Sequence, residues 1–369
     1  PGFLRDLGIG EQGAPGPHTR EGHEATKDIE IPGAPGAGAP PADHAATWAQ
    51  FGATAEWQKK LAPLDPASLS NFRHGSGMLP DLARGAGAGN GASNIISNRS
   101  LDMKEVWYPA EPGSEVGQAP VQYDLRRYLV PEERAKISDD ENPWQACPCF
   151  RDLPMDERRG PYPVVVFVHG TAAFRHQSAQ TTAHWASHGF VVVAMDHPGI
   201  YLADMLQLNI GPQQDQDARE LLADLRAFRG GLSWLSGHVD LDHIALAGHS
   251  AGGYALESLG DEAGVKMLIP MAAAGTLGPS PKVYSLIMGA LDDQVVPWAR
   301  AETGYEETPG AKMLVGLKNA GHLAYSDICA IGRARGGLIQ LLQEKEINLP
   351  EAAGDALTRL GTDGCALEQ

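Results

Sequence analysis

Two uninterrupted apolar runs constrain this chain more than any other feature: Tyr162-Pro-Val-Val-Val-Phe-Val168 and Gly189-Phe-Val-Val-Val-Ala-Met195. A strand with one wet face alternates polar and apolar residues, so continuous β-branched and aromatic runs suit strands covered on both faces. Gln177 to His188 can form a helix between them, which gives the strand, helix, strand order of a parallel crossover. The pattern then repeats. Leu221, Leu222, Leu225, Phe228, Leu232 and Leu235 recur at intervals of mostly three and four residues and predict an amphipathic helix from Asp217 to Leu235. Strands follow at His243 to Ala247, Val265 to Met271, Val283 to Met288 and Lys312 to Leu317, with a helix opening near Ala251. Upstream, Leu101 to Pro109 reads as a strand that ends at proline. The predicted class is α/β: a mostly parallel, doubly wound sheet with helices on both faces. Such sheets carry their chemistry in loops at the carboxyl ends of the strands.

The rest of the chain divides by composition. Residues 1 to 95 are crowded with Gly, Pro and Ala, as in the run from Ile31 to Pro41 and in Gly85 to Gly91, and resist regular structure. Only Ala45 to Leu61, with Trp48, Phe51 and Trp57, looks helical there, so this stretch is expected to be an arm packed on a main domain spanning 96 to 369. A polar insert runs from about 111 to 160, with a helix expected at Pro131 to Ile137.

Charge and cysteines narrow the surroundings. The 369 residues carry a formal net charge of -17, which disfavours nucleic-acid backbones and anionic membranes as partners; an uncharged substrate fits better. No run approaches the roughly 18 apolar residues of a membrane span. The four cysteines lack C-x-x-C spacing and read as disulfides rather than as a metal site. Cys329 with Cys365 is the expected pair, although Cys147 or Cys149 could take either partner. With no leader visible before Pro1, the expectation is a processed protein that is secreted or periplasmic.

The strand at Ile244 to Ala247 runs into Gly248-His-Ser-Ala-Gly252, followed by Gly253. This is G-x-S-x-G in the strand-to-helix context that gives it meaning: small neighbours allow a sharp turn that lifts the serine hydroxyl above the sheet. Ser250 is the candidate nucleophile. Of 13 histidines only His322 follows it, in a loop just past the strand ending at Leu317, which makes His322 the candidate base. The acid should lie between them, and Gly289 to Pro297 offers two neighbours, Asp292 and Asp293. The oxyanion would be held by the backbone N–H groups of Thr171, after the strand ending at Val168, and Ala251, after the nucleophile. His249 reads as a residue that packs the turn rather than as a second base.

These motifs resemble the platelet-activating-factor acetylhydrolase-like branch of the α/β hydrolases and the bacterial cutinase-like polyester hydrolases. The matching text is Trp107-Tyr-Pro109, Tyr162 to Gly170, Ala173-Phe-Arg175, Ala186 to Phe190, Asp196-His-Pro-Gly199 and Gly248 to Gly253. The likeness covers about Leu101 to Asp327. The acetylhydrolases place the acid after the strand that follows the nucleophile, where this chain has Pro270-Met-Ala-Ala-Ala-Gly275 and no carboxylate. The cutinase-like enzymes place it one strand later in a D-x-x-x-P setting, which implies Asp293. The resemblance implies an α/β-hydrolase fold and hydrolysis of small or polymeric esters through an acyl-enzyme, with no cofactor and no metal. A peptidase or amidase on the same residues, and a silent binding protein on the same fold, are the rival readings. The apolar loop from Ile200 to Ile210 could line a pocket, and the candidate pocket residues are Phe174, Tyr201, Met205 and Trp298. Because the Trp107 strand runs antiparallel in such folds, the insert should leave the sheet at the end opposite Ser250 and act structurally rather than as a lid.

Overall fold

The computed structural model describes residues 74–78, 104–273, 283–348 and 358–365, so the helix expected at 45–61 lies outside the described residues. The strands are β1 (His74–Met78), β2 (Lys104–Pro109), β3 (Gln122–Tyr123), β4 (Gln145–Ala146), β5 (Phe150–Arg151), β6 (Tyr162–Val168), β7 (Val191–Met195), β8 (Val239–His249), β9 (Val265–Met271), β10 (Tyr284–Ala290) and β11 (Lys312–Leu317). Nine of them form one sheet in the order β11-β10-β9-β8-β6-β7-β2-β1-β5, and β3 pairs with β4 apart from it. From β11 to β7 all pairings are parallel, whereas β2 is antiparallel to both β7 and β1. Strand β1 lies inside the stretch assigned to the arm, and it pairs along its whole length with β2.

Every residue of β6 is buried, as its unbroken apolar run requires. Alternate side chains feed two cores. Val164, Val166, Val168, Val193 and Leu246 pack with Leu221, Leu222 and Leu225 of the helix Gln214–Ala227 on one face. Val165, Phe167, Val192 and Ala245 pack with Ala179, Ala183 and Ala186 of the helix Ala179–Ser187 on the other. Each fully buried valine or phenylalanine contributes roughly 1.5 to 3 kcal/mol, so the central strands carry much of the stability. The strand order, the antiparallel β2 and helices on both faces make this an α/β-hydrolase fold. The helix expected to reach Leu235 stops at Ala227, because Phe228 turns left-handed (φ 51°) and Gly230 and Gly231 follow at φ 56° and 79°. Leu232 and Leu235 remain in the core through a short 3-10 turn.

The insert leaves β2 at the end of the sheet opposite the carboxyl ends of the parallel strands, yet it climbs the flank to reach the other end. The Tyr123 hydroxyl donates to Glu105 Oε1 at 3.0 Å. That of Tyr128 donates to the Asp196 carboxylate at 3.3 and 3.4 Å, and its ring stacks on Phe174 with centroids 5.0 Å apart. Gln145 Nε2 donates to the His176 carbonyl (2.7 Å) and to Asp327 Oδ2 (3.0 Å), which also accepts from the Gln180 N–H at 3.1 Å. Burial pushes the Asp327 carboxyl up to about 6 against these hydrogen bonds, which lower it. A carboxyl whose value is raised by folding binds its proton more tightly in the native state. Its contribution to stability is therefore full below about 4 and is lost as the pH rises through about 6. The protein should lose about 2 to 3 kcal/mol from this group between pH 4 and pH 7, at about 1.4 kcal/mol per unit. Asp327→Asn should lack that step. In urea unfolding the variant should gain on the wild type by about 2 kcal/mol from pH 4 to pH 7; a difference that does not change with pH would remove the assignment.

Candidate active site

Four loops, at the carboxyl ends of β6, β8, β10 and β11, meet over the sheet, and the one after β8 is a sharp elbow. Ser250 sits between His249 and the helix Ala251–Tyr254 with φ 53° and ψ -121°, a region that costs a non-glycine residue of order 1 to 3 kcal/mol. Glycine makes the turn possible. A Cβ at Gly248 would strike the Gly252 carbonyl, and one at Gly252 would strike the Val168 carbonyl, so the strand, the elbow and β6 touch backbone to backbone. The Ser250 N–H donates to the Met271 carbonyl (2.9 Å) and leaves the side chain as the free end of the turn.

His322 follows β11 in the short 3-10 turn His322–Tyr325. Its Nδ1 lies 2.8 Å from Asp293 Oδ2, while Asp293 Oδ1 accepts the Val295 and Val296 N–H groups at 2.8 and 2.7 Å. All the geometry therefore falls on Asp293. The neighbouring Asp292 is exposed, and its N–H donates to Ala320 O at 3.0 Å. With Nδ1 bound to a carboxylate it carries the hydrogen, and Nε2 presents a lone pair. Both His322 Nε2 and Ser250 Oγ are buried without a hydrogen-bond partner, and both residues line the same cavity.

The backbone of His322 is held from the C-terminal turn, by a residue with no role in the sequence-based expectations. Asp363 Oδ2 accepts the His322 N–H at 2.6 Å and the Gln294 N–H at 3.2 Å, so one carboxylate bridges the loops that carry His322 and Asp293. Two residues on, Cys365 joins Cys329, which is the expected pair; Cys147 joins Cys149. The disulfide ties the C-terminal turn to the segment after His322. From the other side, His249 Nε2 meets the His322 carbonyl at 2.9 Å and its Nδ1 accepts from Gln177 Nε2 at 2.9 Å. Burial, and then the charge of His322, press the His249 value down to about 3, so this ring stays neutral and packs the elbow.

After β6 the chain runs His169, Gly170, Thr171. The Gly170 N–H donates to Gln177 Oε1 (2.8 Å), and the N–H groups of Thr171 and Ala251 have no acceptor among the described residues. Arg175 anchors the loop: its N–H and Nη1 each reach Asp196 at 2.6 Å, and its Nε lies 3.4 Å from Glu105 Oε2, all three side chains being buried. The cavity above Ser250 is walled by Phe174, Leu202, Leu206, Leu323, Ile328 and Leu338, among others. Of the four pocket candidates, Phe174 is there and three are not. Leu202 and Leu206, one helical turn apart, face the cavity, which turns the fully buried Met205 away from it; Tyr201 packs edge-on against Tyr128 with centroids 6.3 Å apart. Trp298 lies over Gly289 and Gly316, between β10 and β11. Leu338, Ile339 and Leu342 come from the helix Leu338–Glu344, whose apolar spacing was readable, whereas Asp363 carried no local signal.

A family model described as chlorophyllase matches residues 137–273, a stretch that holds β6 to β9 and Ser250 but neither Asp293 nor His322. Over 177 residues the chain is 28% identical to a bis(hydroxyethyl) terephthalate hydrolase of Streptomyces coelicolor. That match takes in 46% of this chain and 54% of the relative, so the chain spans about half the length of the curated relative it matches. A solved ferulic acid esterase from Streptomyces cinnamoneus superposes with a TM-score of 0.47 at 20% identity, over 70% of this chain and 78% of that one. In sequence, this chain resembles hydrolases of the α/β-hydrolase superfamily.

Proposed function

We propose that this protein is a serine hydrolase that cleaves carboxylic esters, with Ser250 as nucleophile, His322 as base and Asp293 as the acid that holds it. One observation carries the reading. Two buried polar atoms that need partners, Ser250 Oγ and His322 Nε2, are left without any in one apolar cavity, while the far side of the His322 ring is fixed by a buried carboxylate. Unsatisfied buried groups are costly, and a pair of them beside a strained turn is explained when a reacting molecule supplies what they lack.

The steps follow from these positions. Ser250 Oγ attacks the ester carbonyl carbon as His322 Nε2 takes its proton, and Asp293 stabilises the imidazolium. The carbonyl oxygen gains negative charge between the N–H groups of Thr171 and Ala251. His322 returns the proton to the leaving alcohol, and water then repeats the sequence to free the acid. Apolar walls built of leucine, isoleucine and phenylalanine suit short- to medium-chain acyl groups, with polyester chain ends as the polymeric form of the same chemistry. The relative's name supports an aromatic diester as a test substrate. Two disulfides, and no helix long and apolar enough to cross a membrane among the described residues, support work in an oxidising compartment, secreted or periplasmic.

A fluorophosphonate probe should label Ser250 in the folded protein and not in Ser250→Ala, and ester turnover should exceed that of matched anilides; the reverse order would point to an amidase. Between the two aspartates, Asp293→Asn should lower kcat by about 10⁴ if the serine-protease precedent transfers, since the wrong imidazole tautomer is then favoured. Asp292→Asn should leave kcat nearly unchanged. Loss of activity on changing Asp292 alone would move the acid to that residue.

A further inference from the structure

We propose that the side-chain hydroxyl of Thr171 is a third oxyanion donor, acting beside the two backbone N–H groups; this rests on the reading of Ser250 as nucleophile. Thr171 Oγ1 is buried and has no hydrogen-bond partner, and Thr171 lines the same cavity as Ser250 and His322. Burying a hydroxyl without a partner costs about 1 to 3 kcal/mol, and valine would fill the same volume without that cost. Of the three unpartnered polar atoms around this cavity, two are explained by the proton transfer between Ser250 and His322. The third needs a ligand atom of its own, and a hydroxyl donates as readily as it accepts.

The loop places Thr171 beside the reacting centre. Gly170 is pressed onto the elbow: a Cβ there would lie 3.2 Å from Ser250 Cβ and 3.1 Å from His249 Nδ1. Its carbonyl is already taken by His169 Nδ1 (2.8 Å) and the Ala173 N–H (3.3 Å). The residues on either side of Thr171 are clamped, Gly170 N–H to Gln177 Oε1 at 2.8 Å and Ala172 N–H to the Ile200 carbonyl at 2.9 Å. Thr171 thus offers two donors, N–H and Oγ–H, from a loop that need not rearrange as charge develops, which is the condition under which such donors act most strongly. No bond to Thr171 forms or breaks. The hydroxyl hydrogen turns to the substrate oxygen as its charge grows, and it is released when the carbonyl re-forms.

The test compares Thr171→Val, Thr171→Ser and Ser250→Ala with the wild type on a chromogenic short-chain ester, reading kcat, KM and melting temperature. Thr171→Val should lower kcat on the order of 10²-fold with little change in KM, while its melting temperature stays level or rises because an unpaired hydroxyl has been removed. Thr171→Ser should restore kcat to within a few-fold. Inhibition by an aryl boronic acid, whose adduct with a serine carries the tetrahedral charge, should weaken in Thr171→Val in step with kcat. A Thr171→Val enzyme with wild-type kcat overturns the proposal, and so does one in which kcat and melting temperature fall together without rescue by serine. If Ser250→Ala keeps full activity, the underlying reading has failed instead. Should valine disturb the loop, Thr171→Ala carries the same readouts with less bulk.

Discussion

The site depends first on a buried ionic knot. Arg175 sits between Asp196, just after β7, and Glu105, near the start of β2, at the end of the sheet that β2 shares with the loops carrying Ser250 and His322 because it runs antiparallel. Burial raises the Glu105 carboxyl, against the lowering by Arg175 and Arg151, so two carboxylates are tolerable there only with a guanidinium between them. Removing one partner of such a set typically costs about 3 to 5 kcal/mol, because it leaves uncompensated charge in the core. The geometry has consequences in three directions. Arg175 fixes the loop that carries Thr171, Asp196 receives Tyr128, and Glu105 receives Tyr123, so the insert and the loop after β6 are tied to the same charges.

The second requirement is to keep an imidazole in register with a serine on a different loop. Neither loop does this alone. The Asp293 carboxylate fixes the ring, Asp363 fixes the His322 backbone from the C-terminal turn, and His249 reaches its carbonyl from the elbow itself. The disulfide between Cys329 and Cys365 adds a covalent tie to this arrangement, joining the C-terminal turn that carries Asp363 to the segment after His322. Placing the supports on separate chain segments makes the His322 position a property of the tertiary structure rather than of any one loop.

That division explains what could be read in the sequence. Strands β6, β9 and β11 match their expected limits, because continuous apolar runs and their flanking turns are local signals. The placement of Ser250 and His322 at one end of the sheet was legible through motif and chain order, since each follows such a strand; chain order left Asp292 and Asp293 open, and the cutinase-like resemblance implied Asp293, whose carboxylate is the one that meets the His322 ring. β1 was not, because His74-Gly-Ser-Gly-Met78 lacks the apolar run of a strand and gets its pairing from β2. Tyr201 and Met205 were misplaced for a similar reason: the apolar loop was recognised, but which of its side chains face the cavity depends on the phase of the helix Leu202–Leu206, set by packing against Phe174 and Tyr128. Asp363 and Gln177 act through long-range contacts that leave no trace in composition or spacing.

The distribution of unpaired polar atoms gives the same lesson in energetic terms. Most buried polar side chains here are satisfied, including a charge cluster that would be ruinous if it were not. Among the described residues the exceptions are few, and three of them, Thr171 Oγ1, Ser250 Oγ and His322 Nε2, belong to residues around one cavity. A fold able to satisfy Glu105, Asp196 and Arg175 in its interior could have satisfied a serine and a histidine as well. The core keeps stability by pairing its charges, whereas the cavity gives up a part of that stability by leaving its donors and acceptors unpaired.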